Sequence, residues 1–299
     1  MTLPSTDTSV TYPEGAVTSS SRVLHTEVRA DGRHVVLLDT TAFHAVDHSW
    51  PDQGPDRGGL ATADGSRPIV DAVVGATDGT TLYLGSECPV RKGTEGWAFV
   101  VVHVLGDGPT GGGYQSGPQE GDDVVVQVDP AHREAVSAGH TGCHLASLAL
   151  NRAMAGRWRK AVAEDALGAP NFDALAIDTT TIGDFRSVDH YRLGKSLRRK
   201  GFDVEGLDPA LPGMEERTNA QLSAWTATGA AIRIDTDGPG LTDRRSWVCE
   251  LPGEEARIPC GGTHLTSLAG VGISVGMTLT DQDGTPVLRM QTTVGIAGG

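Results

Sequence analysis

His140 and His144, in HTGCH, stand four residues apart, and Cys260 and His264, in CGGTH, repeat that spacing far downstream. On a helix, residues four apart share one face, so two imidazoles placed this way can address one ion. The second pair follows Pro259 and encloses Gly261 and Gly262, which permit a tight loop that brings a thiolate toward an imidazole. Nitrogen and thiolate donors together suit zinc. Such an ion can activate a water, polarise an ester carbonyl or hold a substrate in place. Four protein ligands make a closed, structural shell, whereas a catalytic zinc keeps one position open. His140 or Cys260 is the ligand expected to bind most weakly. A single HxxxH is commoner as a surface or core pair, and spacing across a long gap does not say that two halves meet. The two halves together are what raise the expectation of a metal site.

Two kinds of element must carry these residues. Past Pro130, AHREAVSAGHTGCHLASLALNRAMAGRWRKAVAEDA has apolar residues at helical spacing, with His140, His144 and Leu148 along one stripe. Upstream, LHTEVRA, HVVLLDT, PIVDAVVG, TTLYLG, WAFVVVHVLG and DVVVQVD are short β-branched runs between turn residues, the pattern of a small antiparallel barrel. Downstream, FDALAIDTTTI, AAIRIDT, WVCEL, GISVGMTLTD and VLRMQTTV predict strands, and DPALPGMEERTNAQLSAWTATG contains a helix. The expected fold class is α+β: a flexible tail over residues 1–20, a β-barrel domain over 21–130, and an α+β domain with the zinc-binding HxxxH helix over 131–299. The Gly-rich stretch Gly106–Gly121 has no Lys-Ser/Thr and no helix behind it, so it reads as a loop rather than a phosphate cradle.

Composition limits the functions further. With 299 residues the chain can build a core without metal or disulfide staples, so a bound zinc is expected to be functional. Cys88, Cys143, Cys249 and Cys260 form no CxxC framework, and no stretch resembles a signal peptide or membrane span, which predicts a reduced, cytoplasmic protein with no membrane partner. A net charge of -14 opposes nonspecific binding to a polyanion and argues against a DNA partner. Any RNA contact must be local. Two basic clusters could supply it: Arg152, Arg157, Arg159 and Lys160, and Arg192, Lys195, Arg198, Arg199 and Lys200. Such runs are as often solvated helix faces.

HTGCHLASLAL and IPCGGTHL resemble the two metal-binding motifs of the alanyl-tRNA synthetase editing domain and of its freestanding relatives, the AlaX proteins. LDTTAF at Leu38 to Phe43 is similar to the family's strand end, and Gln53, Asp56 and Gly58 in QGPDRG match its QxxDxG pattern. VDPAHREAVSAGH resembles the segment before the first motif, and MEERTNAQL, around Glu215 and Asn219, the family's Glu-rich helix. The likeness covers residues 24 to 295. It implies zinc on His140, His144, Cys260 and His264, and hydrolysis of the ester joining a wrong amino acid to the acceptor end of a tRNA. No synthetase catalytic domain precedes the barrel pattern, so the expectation is an editor acting in trans.

Beside the ligands, the hydroxyls of Thr141 and Thr263 are suited to orienting a substrate or water, although Thr in such positions more often caps backbone. Gln53 is expected to contact the amino-acid moiety and to share in catalysis. Asp56, Cys143, Trp50, Arg198 and Arg199 complete the expected substrate contacts. Where AlaX proteins have FYPxGGGQ, this chain reads FHAVDHSWPDQ, longer and without the glycine run. Loss of those glycines reshapes the wall they form. The serine or glycine class and a threonine analogue of the fluorothreonyl-tRNA deacylase type are both expected substrates. Two other readings stand beside this one: a noncatalytic tRNA-binding module with structural zinc, and a zinc hydrolase of a small aminoacyl ester.

Overall fold

The computed structural model describes residues 3–63, 65–107 and 117–297. Most of the Gly106–Gly121 stretch, at residues 108–116, lies outside the described residues. The fold is mixed α+β, mostly strands. It divides into two compact units, one comprising the chain up to Arg133 with Thr236–Arg245 and Gly261–Thr263, the other Glu134–Asp235, Ser246–Cys260 and the chain from His264 onward. The single division near residue 130 made no provision for the two later segments that rejoin the first unit.

The first unit contains β1 (Ser9–Val10), β2 (Thr18–Val28), β3 (His34–Leu38), β4 (Thr40–Thr41), β5 (Gly58–Thr62), β6 (Gly65–Thr77), β7 (Leu82–Leu84), β8 (Ala98–Leu105) and β9 (Asp123–Val128). Antiparallel pairing in the order β5-β9-β2-β3-β8-β6, with β6 also paired to β5, closes a six-stranded ring, and β7 flanks β6. Alternation sorts β-branched side chains to two sides. Val36, Leu38, Phe99 and Val101 join one core cluster, while Val35, Leu37, Val100 and Val102 join another. Both faces of β8 are therefore buried, which explains an apolar run interrupted only by the buried His103. β5 was not expected from sequence.

Residues 1–20, expected as a flexible tail, depart from that reading. Within the described part, Thr8, Val10 and Tyr12 are buried, β1 runs parallel to β4, and Tyr12–Glu14 form a single 3-10 turn. Scattered apolar residues among Ser, Thr and Pro give no periodic signal, but backbone bonds fix the segment: Ser9 N–H donates to Asp39 O (2.9 Å) and Val10 N–H to Pro239 O (2.8 Å).

Helix α1 (Pro130–Met154) crosses from one unit's sequence into the other's. Asp129 caps it, accepting from the N–H groups of Ala131 (3.0 Å) and His132 (3.2 Å), and Pro130 sits where its missing N–H costs nothing. α1 ends twelve residues short of the expected Ala166. Asn151 and Asp165 stop it by gathering backbone and side-chain donors into a polar turn: Asn151 Nδ2 donates to Asp165 (2.9 Å), and Asp165 accepts from Leu167 N–H (2.9 Å).

The second unit continues with α2 (Phe172–Ala176), β10 (Ile177–Gly183), β11 (Arg186–Arg192), α3 (Lys195–Arg199), α4 (Leu207–Thr226), β12 (Ile232–Thr236), β13 (Arg245–Leu251), β14 (Glu254–Pro259), β15 (Val271–Gln282) and β16 (Thr285–Ile296). FDALAIDTTTI, expected as a strand, begins as α2, because Asn171 accepts from Ala174 N–H and starts a helical turn. The sheet order is β10-β11-β16-β15, with a separate sheet β12-β13-β14. β15 is an edge strand, and α4 covers that edge: Asn219 donates to Val275 O (2.9 Å) and accepts from Val275 N–H (2.7 Å), while Glu215 accepts from Met277 N–H (2.7 Å). The Glu-rich helix thus closes a sheet edge.

Candidate metal centre

Tight helix packing begins with two glycines that flank His140. A methyl at Gly139 would lie 2.3 Å from Gly183 O and 2.7 Å from Arg186 O, at the β10–β11 turn; one at Gly142 would lie 2.5 Å from Val294 Cγ2 on β16. Each glycine costs the helix about 1 kcal/mol relative to alanine, offset at Gly139 by the close approach of strand backbone and at Gly142 by close packing against the Val294 and Thr292 side chains. His140 and His144, four residues apart, share one face of the same helix.

The second unit brings all four expected ligands together. His140, His144, Cys260 and His264 each offer one donor atom, and these atoms lie within 4.8 Å of one another. Cys260 Sγ is 3.5 Å from His140 Nε2 and 3.3 Å from His264 Nε2. A tetrahedral ion with bonds of about 2.0–2.3 Å puts its ligand atoms roughly 3.3–3.8 Å apart, so both distances suit a shared ion. The ring centroids of His140 and His264 are 4.2 Å apart, and those of His144 and His264 are 5.0 Å apart.

The proton inventory also fits a metal. Among the described residues, the buried His144 Nε2 has no hydrogen-bond partner, an orphan that a metal would satisfy. Burial lowers the His144 pKa to about 4, so the ring is the neutral imidazole that ligation requires. Thr141 Oγ1 lies 3.3 Å from His264 Nδ1 and accepts from Leu265 N–H at 3.1 Å. With Nδ1–H donating to Thr141, the Nε2 lone pair of His264 faces Cys260, the orientation a metal-binding imidazole needs. Thr141 is fully buried. The cluster could hold a metal ion.

Two residues near the ligands were not anticipated in these roles. Trp247, on β13, lies with its ring 5.1 Å from His144 and 5.9 Å from His264, and its buried Nε1–H has no partner among the described residues. Asp189, on β11, is 1% exposed and takes hydrogen bonds from Thr180 Oγ1 (2.7 Å), Ser187 Oγ (3.5 Å) and Cys143 Sγ (3.6 Å). Burial pushes its carboxyl up to about 7 despite those donors. Cys143, one residue before His144, is thus a buried thiol on a buried acid. VDHY gave no hint of Asp189, because a polar residue in a strand pattern normally marks the solvent side.

The remaining expected residues have other company. In the first unit, Gln53 Nε2 donates to Thr263 Oγ1 (3.0 Å), and Gln53 Oε1 accepts from Thr263 N–H (3.2 Å). Gln53 Nε2 also lies 3.4 Å from Nδ1 of His44, whose pKa burial lowers to about 4. Asp56 is buried on Arg133: Arg133 Nε donates to Asp56 Oδ1 (2.8 Å), a second guanidinium nitrogen donates to Oδ2, and that oxygen also accepts from His44 N–H (2.5 Å). Arg133 was not singled out from sequence, although it falls three residues into the helix that follows Pro130. Trp50 is 65% exposed, with its Nε1 donating to Asp52 Oδ2 (2.8 Å).

The basic clusters differ from each other. Arg152 pairs with Glu254 (2.6 Å), Arg159 with Asp203 (2.6 Å), and Arg157 donates to the carbonyls of Asp203, Glu205 and Gly206. These cations are spent internally. Arg198 and Arg199, at the end of α3, are exposed and enter no ion pair among the described residues. Among the described residues, the cysteines are free thiols and no helix is long and apolar enough to cross a membrane. No protein-family model matches the chain, and no curated protein matches it.

Proposed function

We propose that this protein is a zinc-dependent aminoacyl-tRNA deacylase acting in trans. The observation that carries the reading is the convergence of the HTGCH and CGGTH pairs, more than a hundred residues apart in sequence, on one four-donor cluster. Three imidazoles and one thiolate are a donor set suited to zinc. Zinc bound there would supply Lewis-acid polarisation of an ester carbonyl or anchor the substrate. The chain's own residues do the rest. Thr141 fixes the His264 tautomer, burial keeps His144 neutral, and Arg198 and Arg199 offer unpaired cations to phosphate on a surface whose overall charge is repulsive. In this reading the six-stranded ring is the small barrel of the editing family, and the His44–Asp52 loop selects the amino acid, of the serine or glycine class or a threonine analogue.

The test is hydrolysis of seryl-, glycyl-, threonyl- and fluorothreonyl-tRNA by the zinc-loaded full chain. Turnover of at least one ester, abolished by chelation and in His264→Ala and restored to wild type by zinc, is expected. Failure on all four by protein shown to contain zinc would overturn the proposal. The four-donor set itself favours a second reading, since a closed shell is the structural form of zinc. That reading, a noncatalytic tRNA-binding module, requires His144→Ala to lower thermal stability while tRNA binding persists and no ester is cleaved.

A further inference from the structure

The ligands Cys260 and His264 are joined by Gly261, Gly262 and Thr263, a segment with no helix or strand through it. Its geometry therefore depends on what side chains do to it. Thr263 is gripped at both its N–H and its hydroxyl by the Gln53 amide, at 3.2 and 3.0 Å. Gly261 O accepts from Tyr12 Oη at 3.1 Å. Tyr12 is itself immobilised. Its ring meets His44 edge-on at 5.2 Å, the Arg245 guanidinium lies 5.8 Å over its ring, and Gly15 N–H donates to its carbonyl at 3.0 Å.

The segment that carries Tyr12 is anchored residue by residue. Asp7 accepts from Phe99 N–H (2.8 Å) and from Thr242 Oγ1, Thr8 N–H donates to Phe99 O (3.0 Å), and Thr11 N–H donates to Thr41 O (2.9 Å). A tyrosine hydroxyl at the end of such a strap, donating to the carbonyl of the residue that follows Cys260, is more than surface packing requires. We propose that Tyr12, with Gln53, is a positioning residue that holds the Gly261–Thr263 link so that Cys260 and His264 keep a metal-ligand spacing. The proposal rests on the metal-site reading, but neither residue need touch the metal.

The experiment compares wild type, Tyr12→Phe and Gln53→Glu as full chains. Zinc affinity is measured by competition with a chromophoric chelator, Co2+ binding by its thiolate-to-metal absorption, and thermal unfolding with and without zinc. Tyr12→Phe removes only the hydroxyl, and Gln53→Glu removes the donor to Thr263 at constant shape. Both are expected to weaken zinc binding about tenfold, the usual size of an outer-shell loss, to alter the Co2+ band, and to shrink the zinc-induced rise in Tm while the metal-free Tm moves little. If either folded variant binds zinc as wild type does, or loses equal Tm with and without zinc, the positioning role is overturned. If wild type binds neither ion, the metal-site reading itself fails, and the two failures are thereby separated.

Discussion

Removing the Arg133 side chain tests what Asp56 is for. Arg133 and Asp56 are 6% and 5% exposed, and three hydrogen bonds converge on the carboxylate, two from the guanidinium and one from His44 N–H. Arg133 also donates to Ala42 O at 2.7 Å and to Ala16 O at 3.2 Å. Arg133→Ala leaves a buried carboxylate with one donor and orphans two carbonyls. Breaking a buried pair from one side costs about 3–5 kcal/mol, because the partner charge stays desolvated. At a few degrees per kcal/mol, the first unit should melt roughly 10 to 20 °C lower. Replacing both partners, Arg133→Met with Asp56→Leu, removes the stranded charge and should return most of that loss. Circular dichroism melts with hydrogen exchange on β2 and β9 would read it. A cost below about 1 kcal/mol for Arg133→Ala would refute the buried-pair reasoning. A folded Asp56→Asn variant with wild-type melting but a tenfold higher KM would make Asp56 a substrate contact, as its place in QxxDxG implied.

Gly139→Ala should destabilise by about 1–3 kcal/mol despite better helix propensity, since the new methyl meets backbone oxygens that cannot rotate away; Gly156→Ala, with nothing within 4 Å, should be neutral in the same melts. Asp189 gives a pH signature. Its folded carboxyl titrates at about 7 against an ordinary 3.8, so the folded state holds a proton that the unfolded state releases. That contribution is full below the ordinary value and is lost as pH rises through about 7, by up to about 4 kcal/mol. Asp189→Asn should flatten this slope in denaturant titrations between about pH 4 and 7; an unchanged slope counts against it. If the protein acts on tRNA as proposed, Arg198→Glu with Arg199→Glu should weaken tRNA binding and reduce its salt dependence without altering the melting curve, as measured by filter binding across a salt series.

The convergence of His140 and His144 with Cys260 and His264 was legible because α1 has a strong helical period and the histidines fall on its stripe. The loop half was legible from Pro259 and the two glycines. Elements with mixed patterns were not. β11 buries Ser187 and Asp189, so polar letters occupy core positions, and β5, GGLAT, has a single buried apolar residue. Tyr12 escaped notice because a residue fixed by distant partners leaves no local period. Arg133 and Trp247 share that property: each acquires its meaning from a residue far away in sequence.

The return of residues 236–245 and 261–263 to the first unit bears on the order in which the chain can fold during synthesis. Leu241 belongs to that unit's core, Pro239 O accepts from Val10 N–H, and the Tyr12 hydroxyl waits for Gly261. At about 5–20 residues per second, the ribosome needs roughly 6 to 26 s after Arg133 to deliver them. Through that interval the ring of strands stands without part of its interior. A nascent chain halted before Leu241 is therefore expected to be protease-sensitive in its N-terminal third, and a gene fragment ending at residue 133 to yield an incomplete unit.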